Sequence, residues 1–325
     1  MSLTYREKLV IAALESTYGT DATPAGTNAV QTQNLTPRYY EGDTVAEETD
    51  RSIVGGYPQV VTAPFAGGNC NVYIKGSGGA GVAPNADSFL RMAGFDPTIT
   101  ASTSVIYNLV APADMESGSV YFYRSTQYQR VLGARANMEL DITSGQLPRY
   151  TFDYTGLYLR PVTQSIVTPT YNGLEATLPV NNTTTTLTLG GVEFPMYSLQ
   201  LNLNNQIART NIAGLESVDI TDREVTGTLR LRAPAIATKD FFADVESHVD
   251  GASTQALFLI VSDDGTTSTT NSGTATDGKV FELSLPQTQL TSIGEEDVDG
   301  VTVYSFELSC VPTASGNDEA QIAYR

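Results

Sequence analysis

The chain repeats itself at domain length, and that limits its architecture before any element is assigned. An offset of 158 positions lays Pro37, Tyr39, Arg51, Gly56 and Val60 on Pro195, Tyr197, Arg209, Gly214 and Val218, with Ser52 on Thr210. Farther along, an offset of 154 lays Tyr150-Thr151-Phe152-Asp153 on Tyr304-Ser305-Phe306-Glu307. The two matches are collinear and nearly equal in offset. Solenoid units recur about every 20–50 residues, whereas a period this long is that of a whole domain. Two copies of one fold are therefore expected, a first module over 37–160 and a second over 188–325. An N-terminal arm over 1–36 precedes them and a polar linker over 161–187 joins them. At 325 residues the chain can bury two cores of ordinary size.

Most of the sequence alternates with period two or forms short apolar runs bounded by Gly, Pro and Asn, the pattern of strands. The clearest cover 59–62, 71–75 and 119–123 in the first copy, and 198–203, 227–232, 257–261, 279–285 and 301–308 in the second. Helix signals are few. One spans 85–93 and stops at Gly94, which suits the left-handed position after a helix. Its counterpart spans 238–247, with Thr238 placed to cap the first turn. Each follows a strand pair and precedes a strand, so the repetition extends to the order of elements. The simplest picture is a β-sandwich with one flanking helix per module. The run 9–14 suits a helix or a strand, the glycine-rich 75–81 reads as a flexible connector, and 262–278 reads as a polar hairpin tip.

The formal charge is −18, and it is uneven. Residues 1–160 hold 11 Lys and Arg against 15 Asp and Glu, or −4, while 161–325 hold 7 against 21, or −14. Such a chain repels phosphates, which argues against ordinary nucleic-acid binding. Cys70 and Cys310 are the only cysteines, both in strand-like runs, and are expected as buried free thiols. No stretch is long and apolar enough for a membrane span or a signal segment, so the chain is expected to stay soluble in the cytoplasm where it is made.

Chemistry-bearing motifs are missing. There is one histidine, His248, and no nucleophile elbow or phosphate-binding glycine loop. Asp263-Asp264-Gly265 and Asp297-Val298-Asp299-Gly300 have turn composition without the remaining positions of a calcium loop. The one acidic concentration is Glu41, Asp43, Glu47, Glu48 and Asp50, whose duplicate around 200–208 is amide-rich instead. Catalysis would hardly survive that exchange, whereas a hydrophilic lining or contact loop would. The sequence is read as non-enzymatic, with no cofactor and no metal.

The run from Lys8 through Glu15, Tyr18-Gly19-Thr20-Asp21, Pro24-Ala25-Gly26 to Val30, followed by Glu41-Gly42-Asp43, resembles the opening of major tail tube proteins of long-tailed, non-contractile phages and prophages. What the resemblance implies is a mainly β fold of two tandem tail-tube-like β-sandwich modules, each with a short flanking helix, whose inner strands join neighbouring chains into a continuous barrel. Relatives with one module form hexameric rings; two modules imply a three-chain ring with pseudo-sixfold symmetry. About 24 strands at about 4.8 Å spacing and a tilt near 40° give a backbone diameter of about 48 Å and a bore of about 38 Å, wide enough for duplex DNA.

In that setting Glu41 and Asp43 are expected on an acidic lumen or contact strand. Arg51 and Arg209, with Glu47, Glu48 and Asp50, are expected at contacts between stacked rings. Expected partners are further copies of the chain, a tape measure protein, and tail terminator or distal tail proteins, with DNA passing through unbound. The expected location is the virion tail, assembled in the bacterial cytoplasm. A tail-tip or virion-surface adhesin is the alternative. A carbohydrate-binding accessory module is disfavoured by the absence of Trp.

Overall fold

Alternating Thr, Val, Tyr and Leu, with polar residues between, drive nearly every element into strands. A computed structural model of the chain describes residues 4–171, 175–246, 248, 253–261 and 278–325. The first half contributes β1 (Lys8–Leu14), β2 (Ala29–Val30), β3 (Gln33–Glu41), β4 (Thr44–Ala46), β5 (Gln59–Val61) and β6 (Phe65–Tyr73). It continues with α1 (Asp87–Met92), β7 (Phe95–Thr100), β8 (Ser104–Leu109), β9 (Gly118–Arg124), β10 (Gln127–Thr143), β11 (Arg149–Tyr158) and β12 (Val162–Thr163). The second half contributes β13 (Thr185–Leu189), β14 (Val192–Glu193), β15 (Met196–Asn202), β16 (Gln206–Ile212), β17 (Leu215–Asp222) and β18 (Thr226–Arg232). It ends with α2 (Phe241–Val245), β19 (Thr254–Val261), β20 (Phe281–Val298), β21 (Val301–Cys310) and β22 (Gln321–Tyr324). The fold is mainly β, with two short α-helices among the described residues.

The antiparallel ladders of the first half run in the order β3-β6-β11-β10-β9-β1-β2. Those of the second half run β15-β18-β21-β20-β19-β13-β14, element for element the same. The helices occupy matching places. Phe89 of α1 stacks on Phe152 of β11 at 5.2 Å, and Phe241 of α2 meets Phe306 of β21 at 4.9 Å. All four rings are essentially fully buried, so the offset of 154 read from the sequence coincides with paired core contacts.

The offset of 158 is corrected. Gly68 lies opposite Tyr154 and Gly227 opposite Leu308, so these glycines correspond. Pro37 lies opposite Gly68 and Leu201 opposite Gly227, which makes Leu201, not Pro195, the counterpart of Pro37. Hairpins of different length follow β3 and β15, and they let nearby prolines and arginines coincide in sequence without coinciding in the ladder.

Two sheet junctions join the halves. The distal part of β10 pairs with β15 over Glu139↔Asn202 to Thr143↔Ser198, and β8 pairs with β22 over Val105↔Tyr324 to Asn108↔Gln321. A buried hydrogen bond of 3.0 Å between the hydroxyls of Tyr150 and Tyr324 reinforces the second junction. β10 can serve two ladders because a bulge turns it between Val131 and Ala134. Gly133 sits there at φ +57°, where an added Cβ would lie 2.7 Å from the Tyr18 ring.

Other local expectations are refined. The run 9–14 lies in a strand, with Val10 and Ile11 fully buried. Asp240, not Thr238, caps α2, its carboxylate accepting from the amides of Phe242 and Ala243. The glycine-rich run is no loose connector: Ser77 is 1% exposed and its amide donates to the Gly278 carbonyl at 2.7 Å. Gly94 ends α1 at φ +95°, as its position suggested. The aspartates of 263–264, with most of the polar tip, lie outside the described residues.

Candidate functional site

The Lys8-to-Asp21 motif folds into a clasp. The Glu15 carboxylate accepts four hydrogen bonds, each of 2.8 Å, from the amides of Gly19 and Gly133 and the hydroxyls of Ser117 and Ser119. It therefore pins the bulge of β10 to the loop after β1. Asp21 accepts from the Tyr121 hydroxyl at 2.5 Å and from Arg130 at 3.2 Å. Tyr18 reaches the other half of the chain, its hydroxyl oxygen accepting from the Val218 amide at 2.5 Å. These residues hold the β16–β17 hairpin over β10, and Val218 and Ile220 are buried there.

The face of the joined sheet away from the core is polar and concave. Alternation on β11, β10, β15, β18 and β21 sends Phe152, Met138, Leu140, Leu201, Leu229 and Phe306 inward. The intervening positions, among them Thr151, Glu139, Asp141, Gln200, Asn202, Thr228 and Glu307, line an open groove of about 770 Å³ that crosses the junction between the halves. A second, smaller cavity continues it past Asn137 and Asp153 to Arg38.

Charge on this face is arranged in pairs. Arg38 bonds Asp153 at 2.6 Å, Arg149 bonds Asp141 at 2.8 Å, and Arg230 bonds Glu296. Glu139 accepts only from the Asn202 amide group, at 3.0 Å, and no arginine or lysine stands against Glu307 among the described contacts. The face therefore carries net negative charge, with Arg38, Arg149 and Arg230 each neutralised by a carboxylate, while exposed Arg232, two positions beyond Arg230 on β18, makes no ion pair among the described residues. Such a surface offers a polyanion no cluster of free guanidinium groups or oriented donors.

The acidic positions singled out in sequence fall elsewhere. Glu41 ends β3, 3.7 Å from the Arg38 guanidinium. Asp43, at the base of the β4–β5 hairpin, meets Arg209 at 3.1 Å across 166 residues of sequence. Arg209 also donates to the Ala63 carbonyl at 3.0 Å and lies 4.0 Å over the Phe65 ring, so it is engaged within the chain. Glu47, Glu48 and Asp50 are exposed in the loop between β4 and β5. Arg51, in the same loop, stacks on Tyr57 at 4.0 Å and donates to the Gly56 carbonyl at 2.8 Å. The structure thus unites Asp43 with Arg209, sets Glu41 beside Arg38, and leaves Glu47, Glu48, Asp50 and Arg51 on one exposed loop. Glu307 is the one acidic residue of β21 and Glu139 has only Asp141 beside it on β10, so neither forms a cluster in sequence; the signal that could have found them is a polar residue at every second position of adjoining strands.

A family model described as phage tail tube protein matches residues 6–310. No curated protein matches the chain.

Proposed function

The chain belongs to the phage tail tube protein family, a structural component of the virion tail, and we propose that three copies close into a ring whose stacked repeats form the tube. The observation that carries this reading is the repeated ladder order, with the two halves already joined edge to edge through β10 and β15. Two modules per chain make three chains equivalent to six single-module subunits, which gives pseudo-sixfold symmetry. The two modules follow the two ladder sets: the first takes in β1 and β2 of the expected N-terminal arm and runs to β12, and the second begins at β13.

The concave polar face lines the bore. Its paired arginines and the uncompensated Glu139 and Glu307 let the genome slide during ejection, because a net negative lining repels phosphates and gathers no cluster of counter-charge for them. The loop carrying Glu47, Glu48, Asp50 and Arg51 stands at the rim and touches the next ring. A tape measure protein inside the tube, and terminator or distal tail proteins at its ends, are the remaining partners, and assembly takes place in the bacterial cytoplasm. Negative-stain microscopy of the concentrated protein tests the reading: stacked rings or tubes are expected. Discrete particles at every concentration would sink it and favour the adhesin.

A further inference from the structure

The internal junction between the halves is a template for the junction between chains. The distal part of β10 holds β11 on one side and β15 on the other. Its counterpart, the distal part of β20, holds β21 on one side and, past its register with β19 at 281–289, no partner on the other among the described residues. Likewise β15 is paired on both sides, whereas its counterpart β3 pairs only with β6 among the described residues. One chain thus ends in an open donor edge and begins with an open acceptor edge of the matching kind.

The β4–β5 hairpin repeats the argument. Its counterpart, β16–β17, folds over β10 and β11 and buries Val218 and Ile220 there. On β4–β5 the apolar side chains remain outside: Val45 is 57% exposed, Val60 56%, Ile53 71% and Val54 fully exposed. The matching outer surface, on β20 and β21 beside Thr291 and Ser309, forms part of the open groove.

We propose that distal β20 of one chain pairs with β3 of a second copy, whose β4–β5 hairpin folds over β20 and β21 of the first; the proposal rests on the ring-forming reading above. The ladders fix the register. Met138 opposite Phe152 corresponds to Ile293 opposite Phe306, and Asp141 opposite Arg149 corresponds to Glu296 opposite Val303. Gln200 opposite Thr228 corresponds to Thr36 opposite Asn69. Asp141↔Gln200 within the chain therefore becomes Glu296↔Thr36 between chains, and one step further Asp297 faces Leu35. The Leu35 carbonyl holds Lys8 Nζ at 3.5 Å, so the acidic tip of one copy meets a cation on the other.

This seam is the weaker of the two. Leu140↔Leu201 is buried, whereas the corresponding pair is exposed Glu295 with Pro37. Proline lacks an amide hydrogen, so its bridge to Gly68 must be a pair without direct hydrogen bonds, which turns the Pro37 nitrogen toward the open edge. The turn after β13 has no counterpart of Tyr18, and among the described residues no hairpin follows α2 to match β7–β8, which grips β22 within the chain.

Cysteine pairing tests the register. The Leu203 amide donates to the Met138 carbonyl, which makes Asp141↔Gln200 a pair without direct hydrogen bonds, with Cα atoms about 4.5 Å apart and within disulfide reach. Asp141→Cys with Gln200→Cys should close inside one chain. Thr36→Cys with Glu296→Cys, oxidised in assembled material, should give covalent dimers and then trimers on non-reducing gels. Assembled tubes that stay monomeric on the gel, while the control pair closes, would overturn this seam and leave the tube reading standing. Failure of the unmodified chain to assemble would overturn both. Pro37→Leu restores the missing donor and should lower the dissociation constant of each seam about fivefold; an unchanged or larger constant would refute its stated weakness.

Discussion

Replacing Glu15 by Gln removes one carboxylate oxygen from a site where four donors converge, and the structure sets the size of the loss. Each oxygen of Glu15 receives one backbone amide and one hydroxyl. The hydroxyl opposite the new NH2 group can rotate away, but the amide cannot. One half-buried amide is left without an acceptor, at about 1–3 kcal/mol, and the surviving bonds lose their charge assistance. The total is about 3 kcal/mol, which for a chain of this size lowers the melting temperature by about 4–5 °C. Ser117→Ala removes a single donor and should cost about 1 kcal/mol. Differential scanning calorimetry of wild type, Glu15→Gln and Ser117→Ala reads both. A Glu15→Gln melting temperature within 1 °C of wild type, or equal to that of Ser117→Ala, would refute the clasp.

Burial pushes the thiols of Cys70 and Cys310 up to about 12, with Asp153 adding to the shift at Cys70 and Glu319 at Cys310. Both are protonated between pH 7 and 9, so a thiol-exchange reagent should label neither in the native protein and both after denaturation; rapid native labelling would contradict that core placement. In the lining, Glu139→Lys with Glu307→Lys should make tubes retain duplex DNA at low salt and release it as salt rises, whereas wild-type tubes retain none. Equal retention by the two would remove the lining role from this face.

The duplication was legible where the core is aromatic. Tyr150-Thr151-Phe152-Asp153 and Tyr304-Ser305-Phe306-Glu307 survive as a match because Phe152 and Phe306 each pack on the aromatic ring of a helix. Around Pro37 the sequence match departs from the ladder, since β3 is an open, bulged edge strand with little packing to preserve a pattern. The segment over β1 was ambiguous because Leu9 to Ala12 are all buried, and a strand covered on both sides loses its alternation. The polar groove was the least legible part. Neighbours in a strand face opposite ways, so the group Glu41 to Asp50 stands out in the sequence, while the groove gathers Glu139, Gln200, Thr228 and Glu307 from four strands.

Helical reconstruction of the assembled tube by electron cryo-microscopy tests the central claim most directly. The account predicts three chains per ring, six nearly equivalent modules, the β10–β11–β15–β18–β21 face toward the bore, and alternating β10:β15 and β20:β3 junctions around it. A ring of six chains, or a bore lined by any other face, would contradict it.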